Sequence, residues 1–108
     1  MISTHVLDTS RGTPAPGVRV VLEMRSGAGW TTIGSRSTDA NGRIAAFSEK
    51  PPAAGTYRLT FDTGGYQRGS GLTPFFPEVA VMFDVQSGAH YHVPLLLSPF
   101  GYSTYRGT

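Results

Sequence analysis

Apolar and polar residues alternate along this chain in short runs, each cut off by glycine or proline before a helical repeat can build. Runs rich in Val, Thr, Tyr and Phe predict strands near residues 2–8, 18–25, 30–37, 43–47, 56–62, 78–86, 89–97 and 101–106. Eight short strands in 108 residues point to an all-β fold, a β-sandwich of two four-stranded sheets. No heptad pattern competes with that reading, and at most one short helix has room.

The breaks between runs carry turn chemistry. Thr13-Pro14-Ala15-Pro16-Gly17 holds two residues without a main-chain N–H, so it is expected as a loop outside any ladder. Asp39-Ala40-Asn41-Gly42 joins Asx-turn residues to a glycine that tolerates positive φ, closing a turn directly before Arg43. Lys50-Pro51-Pro52-Ala53-Ala54-Gly55 is a further loop. Thr63 to Gly71 opens the longest irregular stretch, where four glycines limit any helix to a single turn.

One strand has two apolar faces. Side chains alternate sides, so Tyr91, Val93, Leu95 and Leu97 share one face while His90, His92, Pro94 and Leu96 share the other. On the first strand Thr4 and Val6 oppose His5 and Leu7. A two-sheet sandwich buries only one face of each sheet. Leucines beside histidines on the outward faces therefore predict that these faces meet in an oligomer and shelter a pocket there.

Composition narrows the classes. The length suits one domain, and no repeat or low-complexity segment divides it, so residues 1–108 are read as a single domain. Only 15% of residues are charged, which leaves Gly, Ser, Thr, Pro or subunit contacts to cover the surface. Cysteine is absent, so disulfides and thiolate sites are excluded. Eight of the nine cations are Arg, scattered from Arg11 to Arg106, and the net charge is only +2. No basic stripe for nucleic acid results. The Met1-Ile2-Ser3-Thr4-His5 opening lacks a leader pattern, and no apolar run has the length of a membrane span, so a cytoplasmic location is expected.

Few residues could carry chemistry. Gly69-Ser70-Gly71 is not a nucleophile elbow, because it lacks the Gly-x-Ser-x-Gly spacing and the flanking strand and helix. The turn at Asp39 lacks the ligand series of a calcium loop. His90 and His92, two apart on a strand, could clip a metal with His5 as third ligand, a set suited to hydrolytic zinc. The competing reading makes His5 and His92 proton carriers, since imidazole titrates near working pH. Arg43 could anchor a carbonyl-rich ligand or stabilise an oxyanion, or be a solvated edge arginine.

Three spaced segments resemble one family. Ser3-Thr4-His5-Val6-Leu7-Asp8-Thr9-Ser10-Arg11-Gly12 is similar to the N-terminal signature of the 5-hydroxyisourate hydrolases. His90-Tyr91-His92-Val93-Pro94-Leu95-Leu96-Leu97-Ser98-Pro99 resembles their second signature, and Tyr102-Ser103-Thr104-Tyr105-Arg106-Gly107-Thr108 resembles their Tyr-Arg-Gly-Ser ending. Phe75-Phe76-Pro77-Glu78-Val79 looks like the same family, so the likeness runs from end to end.

The resemblance implies a transthyretin-like β-sandwich assembled as a homotetramer, a dimer of dimers with active sites between dimers. It implies catalytic roles for His5, Arg43, His92 and Thr108, with His5, Arg43, Tyr105, Arg106 and Gly107 binding substrate. His90 receives no role. Thr108 stands where the family has serine; it keeps the hydroxyl and adds a methyl. The implied reaction is hydrolysis of 5-hydroxyisourate, in urate breakdown to allantoin. Water adds to a ring carbonyl and opens the six-membered ring. Either His5 or His92 takes the proton from water, while Arg43 stabilises the oxyanion and keeps a neighbouring imidazole neutral. No metal or cofactor is required, since two imidazoles and a guanidinium supply acid, base and charge. Transthyretin itself lacks a histidine at the place of His92 and lacks the Tyr-Arg-Gly ending. Two rivals remain: a carrier of flat aromatic ligands and a zinc hydrolase.

Overall fold

The period-two runs resolve into two facing sheets in the computed structural model, which describes residues 1–86 and 88–108. The elements are β1 Ile2–Asp8, β2 Thr13–Pro14, β3 Arg19–Ser26, β4 Gly29–Ser37, β5 Arg43–Ile44, β6 Gly55–Phe61, α1 Thr63–Gly69, β7 Val79–Val85, β8 Tyr91–His92, β9 Leu95–Ser98 and β10 Gly101–Thr104. One sheet runs β4-β3-β6-β7, antiparallel throughout. The other is built around β1, which takes β8 and β9 in parallel and β5 and β2 antiparallel, with β10 beyond β9.

The core lies between them. Val20, Leu22, Leu59, Phe61 and Val79 face inward from the first sheet, and Val6, Ile44, Leu95 and Leu97 from the second. Burying each such side chain stabilises by about 1.5–3 kcal/mol. Strand propensity spans only about 1 kcal/mol. Register is therefore set by which face is apolar.

Four details differ from the sequence expectation, each for a local reason. The strand expected over 89–97 is split, because Pro94 has no N–H to give the ladder; Val93 N–H still donates to Ser3 O at 3.0 Å. The strand expected over 43–47 shortens to Arg43–Ile44. After Ile44 the chain leaves β1 and seats buried Phe47 against Gly34, where a Cβ would lie 2.7 Å from the Phe47 carbonyl. Thr13–Pro14 is a two-residue strand and not a loop. It pairs with Leu7 and Asp8, and Ala15 N–H donates to Val6 O at 2.9 Å, so Pro14 withholds only its own donor.

The fourth difference is α1, seven residues long where one turn was expected. Asp62 caps it by accepting from Gly65 N–H at 3.0 Å, and tertiary contacts then outweigh its glycines. Buried Gln67 donates to Ser98 O at 3.2 Å, and Tyr66 hydroxyl donates to Asp8 Oδ2 at 2.8 Å. Burial alone would raise the Asp8 pKa. Bonds from the Ser10 and Tyr66 hydroxyls and from main-chain N–H groups win, and hold it below the ordinary carboxylate value. Its stabilising effect is thus complete above the unfolded carboxylate value of about 3.9 and is lost as pH falls through the lower folded value. Tyr66→Phe is expected to cost about 1–3 kcal/mol at neutral pH, read as a lower urea midpoint at unchanged slope. The difference from wild type should shrink in acid as Asp8 protonates.

Candidate active site

β1 is the spine of the site. Ser3 lies opposite His92 on β8, and His5 opposite Arg43 on β5. Paired residues point the same way, as do residues two apart, so four polar side chains share the outer face of this sheet. Leu7 and Leu96, also paired, continue that face and are half-buried within one chain.

Arg43 is delivered by the turn before it. Asp39 Oδ1 accepts from Asn41 N–H at 2.8 Å and from Arg43 N–H at 3.0 Å. The Arg43 and Asn41 N–H donors outweigh the opposing effect of burial and, with smaller help from the charges of Arg43 and His5, hold the Asp39 carboxyl below its ordinary range. Gly42 takes φ 73°, and its carbonyl accepts from Val6 N–H at 2.7 Å. A Cβ there would stand 2.5 Å from Val6 O, so the turn needs glycine on two counts. Among the described residues no salt bridge engages the Arg43 guanidinium.

The turn also fixes His5. Its Nε2 lies 2.9 Å from the Asn41 carbonyl, which can only accept, so Nε2 carries a proton and Nδ1 is left facing away from the turn. His92 is half-buried, with Nδ1 at 2.8 Å from Ser3 Oγ. Desolvation first, then the charges of Arg43, His5 and His90, push the His92 pKa below the ordinary imidazole value, so the ring is neutral at physiological pH.

The C-terminal segment closes one side. Gly107 N–H donates to His92 O at 2.8 Å, and a Cβ on Gly107 would lie 2.5 Å from His92 Cδ2. Only a glycine lets the main chain ride over the imidazole and bring Thr108 to the site. The result is an open cleft of about 340 Å³ lined by Ser3, Thr4, Asp39, Arg43, Ile44, Ala45, His90, His92 and Thr108. That is room for a small ring compound, at the lower end of the roughly 300–1,000 Å³ typical of ligand pockets.

Not every residue named from sequence converges there. Tyr105 and Arg106 line a neighbouring groove with Val81, Phe83, Tyr91 and Val93, the Arg106 guanidinium lying 4.6 Å over the Tyr91 ring. His5 pairs with Arg43 across the strands but is not among the residues that line the cleft. Among the described residues no three of His, Asp or Glu converge as a set able to hold a metal, and the Ser3 hydroxyl occupies the space between His90 and His92. A more apolar groove lined by Ile2, Leu22, Met24, Phe47, Lys50 and Tyr57 has no histidine or carboxylate among the described residues that line it. There the Tyr57 hydroxyl donates to Ala53 O, and burial pushes its pKa up.

Ser3 and Asp39 are the site residues that motif reading passed over. Ser3 could have been found by alternation, since it shares a face with His5. Asp39 could have been found as the acceptor that an Asx turn before Arg43 requires.

A transthyretin-type sandwich bearing a histidine–arginine cleft on the outer face of one sheet is the class these features define. Residues 2–107 match the HIUase/Transthyretin family, and the chain belongs to it. A 5-hydroxyisourate hydrolase of Salmonella dublin is 51% identical over 110 residues, covering 100% of this chain and 81% of the relative. The solved 5-hydroxyisourate hydrolase of Klebsiella pneumoniae superposes with a TM-score of 0.90 at 43% identity, covering 99% of this chain and 98% of that one. Sea bream transthyretin in complex with thyroxine superposes with a TM-score of 0.92 at 38% identity, covering 99% and 94%. No helix is long and apolar enough to cross a membrane among the described residues.

Proposed function

We propose that this chain is a 5-hydroxyisourate hydrolase, with residues 1–108 acting as one hydrolase domain. The observation that carries the reading is the meeting of His92 and Arg43 in one cleft, with no salt bridge on the Arg43 guanidinium among the described residues.

His92, kept neutral, removes a proton from water, and the oxygen attacks a ring carbonyl of the substrate. Arg43 donates to the oxygen on which charge develops. The ring C–N bond then breaks, its nitrogen takes up a proton, and the product is 2-oxo-4-hydroxy-4-carboxy-5-ureidoimidazoline, formed on the way from urate to allantoin. His5, oriented by the bond from its Nε2 to the Asn41 carbonyl, turns Nδ1 toward the substrate. Thr108 and the Gly107 main chain close on the ring. Tyr105 and Arg106 contribute by anchoring the segment that carries them, since within one chain their side chains face the neighbouring groove. None of these steps calls for a metal or cofactor.

The half-buried Leu7 and Leu96 beside the cleft support assembly into a homotetramer in which copies wall the site. Exposed Phe75, Phe100 and Tyr102 offer further apolar surface for such contacts. Light scattering at micromolar concentration is expected to give four times the chain mass. A cytoplasmic location belongs to the same reading.

Gly107→Ala tests the positioning of the imidazole. The new methyl must displace His92 or lift Thr108 away, and since a shift on the order of 1 Å can cost about 10²-fold, we expect kcat to fall at least about tenfold. Thermal stability should change little, because the affected segment is a single main-chain bridge.

The activity itself is tested by generating 5-hydroxyisourate in place with urate oxidase and following its ultraviolet decay. Rapid decay on adding the protein, unchanged by a chelator, is the expected result. Decay at the spontaneous rate would overturn the enzyme reading in favour of ligand carriage. Loss of activity to a chelator, restored by zinc, would overturn the metal-free chemistry alone.

A further inference from the structure

The chemistry above leaves His90 and Ser3 without a part, although both are tied to His92. Ser3 Oγ lies 2.8 Å from His90 Nε2 and 2.8 Å from His92 Nδ1. A hydroxyl has one proton to donate. With both rings neutral, one of the two facing nitrogens must therefore carry N–H, and the other must be bare. If His90 Nε2 is the donor, His92 Nδ1 is bare and both rings are Nε2–H tautomers. If His92 Nδ1 is the donor, both rings are Nδ1–H tautomers. Ser3 thus couples the two rings, and one rotation of its hydroxyl changes what His92 offers the cleft.

The choice between the two states follows from the surroundings. In the Nε2–H state His92 would present a donor to a cleft already lined by the Arg43 guanidinium. In the Nδ1–H state it presents a lone pair, which the nearby cation favours. Ser3 is buried and so holds its two bonds away from competing water, whereas His90 is exposed.

We propose that Ser3 and His90 are positioning residues that hold His92 as its Nδ1–H tautomer and carry away the proton it receives. This rests on the hydrolase reading for its chemical use. Water gives a proton to His92 Nε2 as its oxygen bonds to the carbonyl carbon. His92 Nδ1–H passes its proton to Ser3 Oγ, and the Ser3 hydroxyl proton passes to His90 Nε2. His92 is then a neutral Nε2–H ring, and the positive charge has moved from the neighbourhood of Arg43 and His5 to exposed His90. When the leaving ring nitrogen takes the Nε2 proton, the reverse transfer from His90 through Ser3 restores Nδ1–H. Every proton is accounted for, and no co-reactant is needed.

Long-range ¹H–¹⁵N spectra of the full ¹⁵N-labelled protein in mildly alkaline buffer read the tautomers directly. His90 and His92 should both be Nδ1–H in wild type. Ser3→Ala should release His92 to a mixed or Nε2–H population, and Ser3→Thr, which keeps the hydroxyl, should restore it. In turnover, Ser3→Ala and His90→Phe should lower kcat on the order of tenfold or more with KM little changed, with Ser3→Thr recovering most of the loss. Opposite tautomers in wild type would overturn the coupling. So would a His92 spectrum indifferent to Ser3→Ala, or full kcat in His90→Phe. The spectra need no substrate, so an inactive wild type with coupled rings would sink the hydrolase reading while leaving the bridge standing.

Discussion

His92→Ala is expected to lower kcat for 5-hydroxyisourate by about 10²–10⁴-fold, the contribution a positioned general base makes. The fold should survive, because His92 contributes to the architecture mainly through its main chain: its carbonyl accepts from Gly107 N–H, and its strand pairs with Ser3. The melting temperature should stay within a few degrees of wild type, which separates lost chemistry from lost structure. KM should move less than kcat, since Arg43 and Thr108 remain to bind. The wild-type pH profile checks the same residue independently. A base works unprotonated, and burial, Arg43, His5 and His90 all hold its pKa down. The acid limb of kcat/KM should therefore lie below the ordinary histidine value of about 6.5. An acid limb above that value, or a variant with a tenth of wild-type turnover, would remove His92 from the role.

What the sequence disclosed and what it hid have separate physical causes. The strands of the β4-β3-β6-β7 sheet fall within a residue or two of the runs read from the sequence. β3, β6 and β7 each set one face against the core, while the edge strand β4 has no buried residue and was legible from the breakers that bound it. The sheet around β1 was harder. Its strands are short and interrupted, and a two-residue partner such as Thr13–Pro14 carries no periodicity to read. The helix runs longer than the single turn expected because its stability is tertiary: the Asp62 cap is local, but Tyr66 and Gln67 find their partners on Asp8 and Ser98.

The site followed the same division. His5 and His92 stood out as histidines on outward faces, and Arg43 as the residue that leaves a tight turn. Ser3 did not, since its importance arises from a bond to a residue 89 positions away. Periodicity places a side chain on a face; only register decides which side chain it meets. Tyr105 and Arg106 illustrate this, because the face they take depends on how the last segment crosses β8, and nothing within the segment specifies that.

Arg43→Met is the second large effect expected, and it separates two things one guanidinium does. Loss of a donor aimed at a developing oxyanion costs about 10²–10³-fold in kcat, and methionine removes that donor while keeping a comparable stem. It also removes the positive charge that helps hold the His92 pKa down. The sign is fixed: without that charge the imidazolium is less disfavoured, the His92 pKa rises, and the acid limb of the pH profile moves to higher pH. Arg43→Lys should divide the effects. Its ammonium keeps a charge near His92, so the limb should stay close to wild type, but its compact head cannot offer the planar pair of donors, so kcat should remain low. If Lys restored kcat in full, Arg43 would act as a charge alone. If Met left the limb in place, the neutrality of His92 would come from burial rather than from its neighbour.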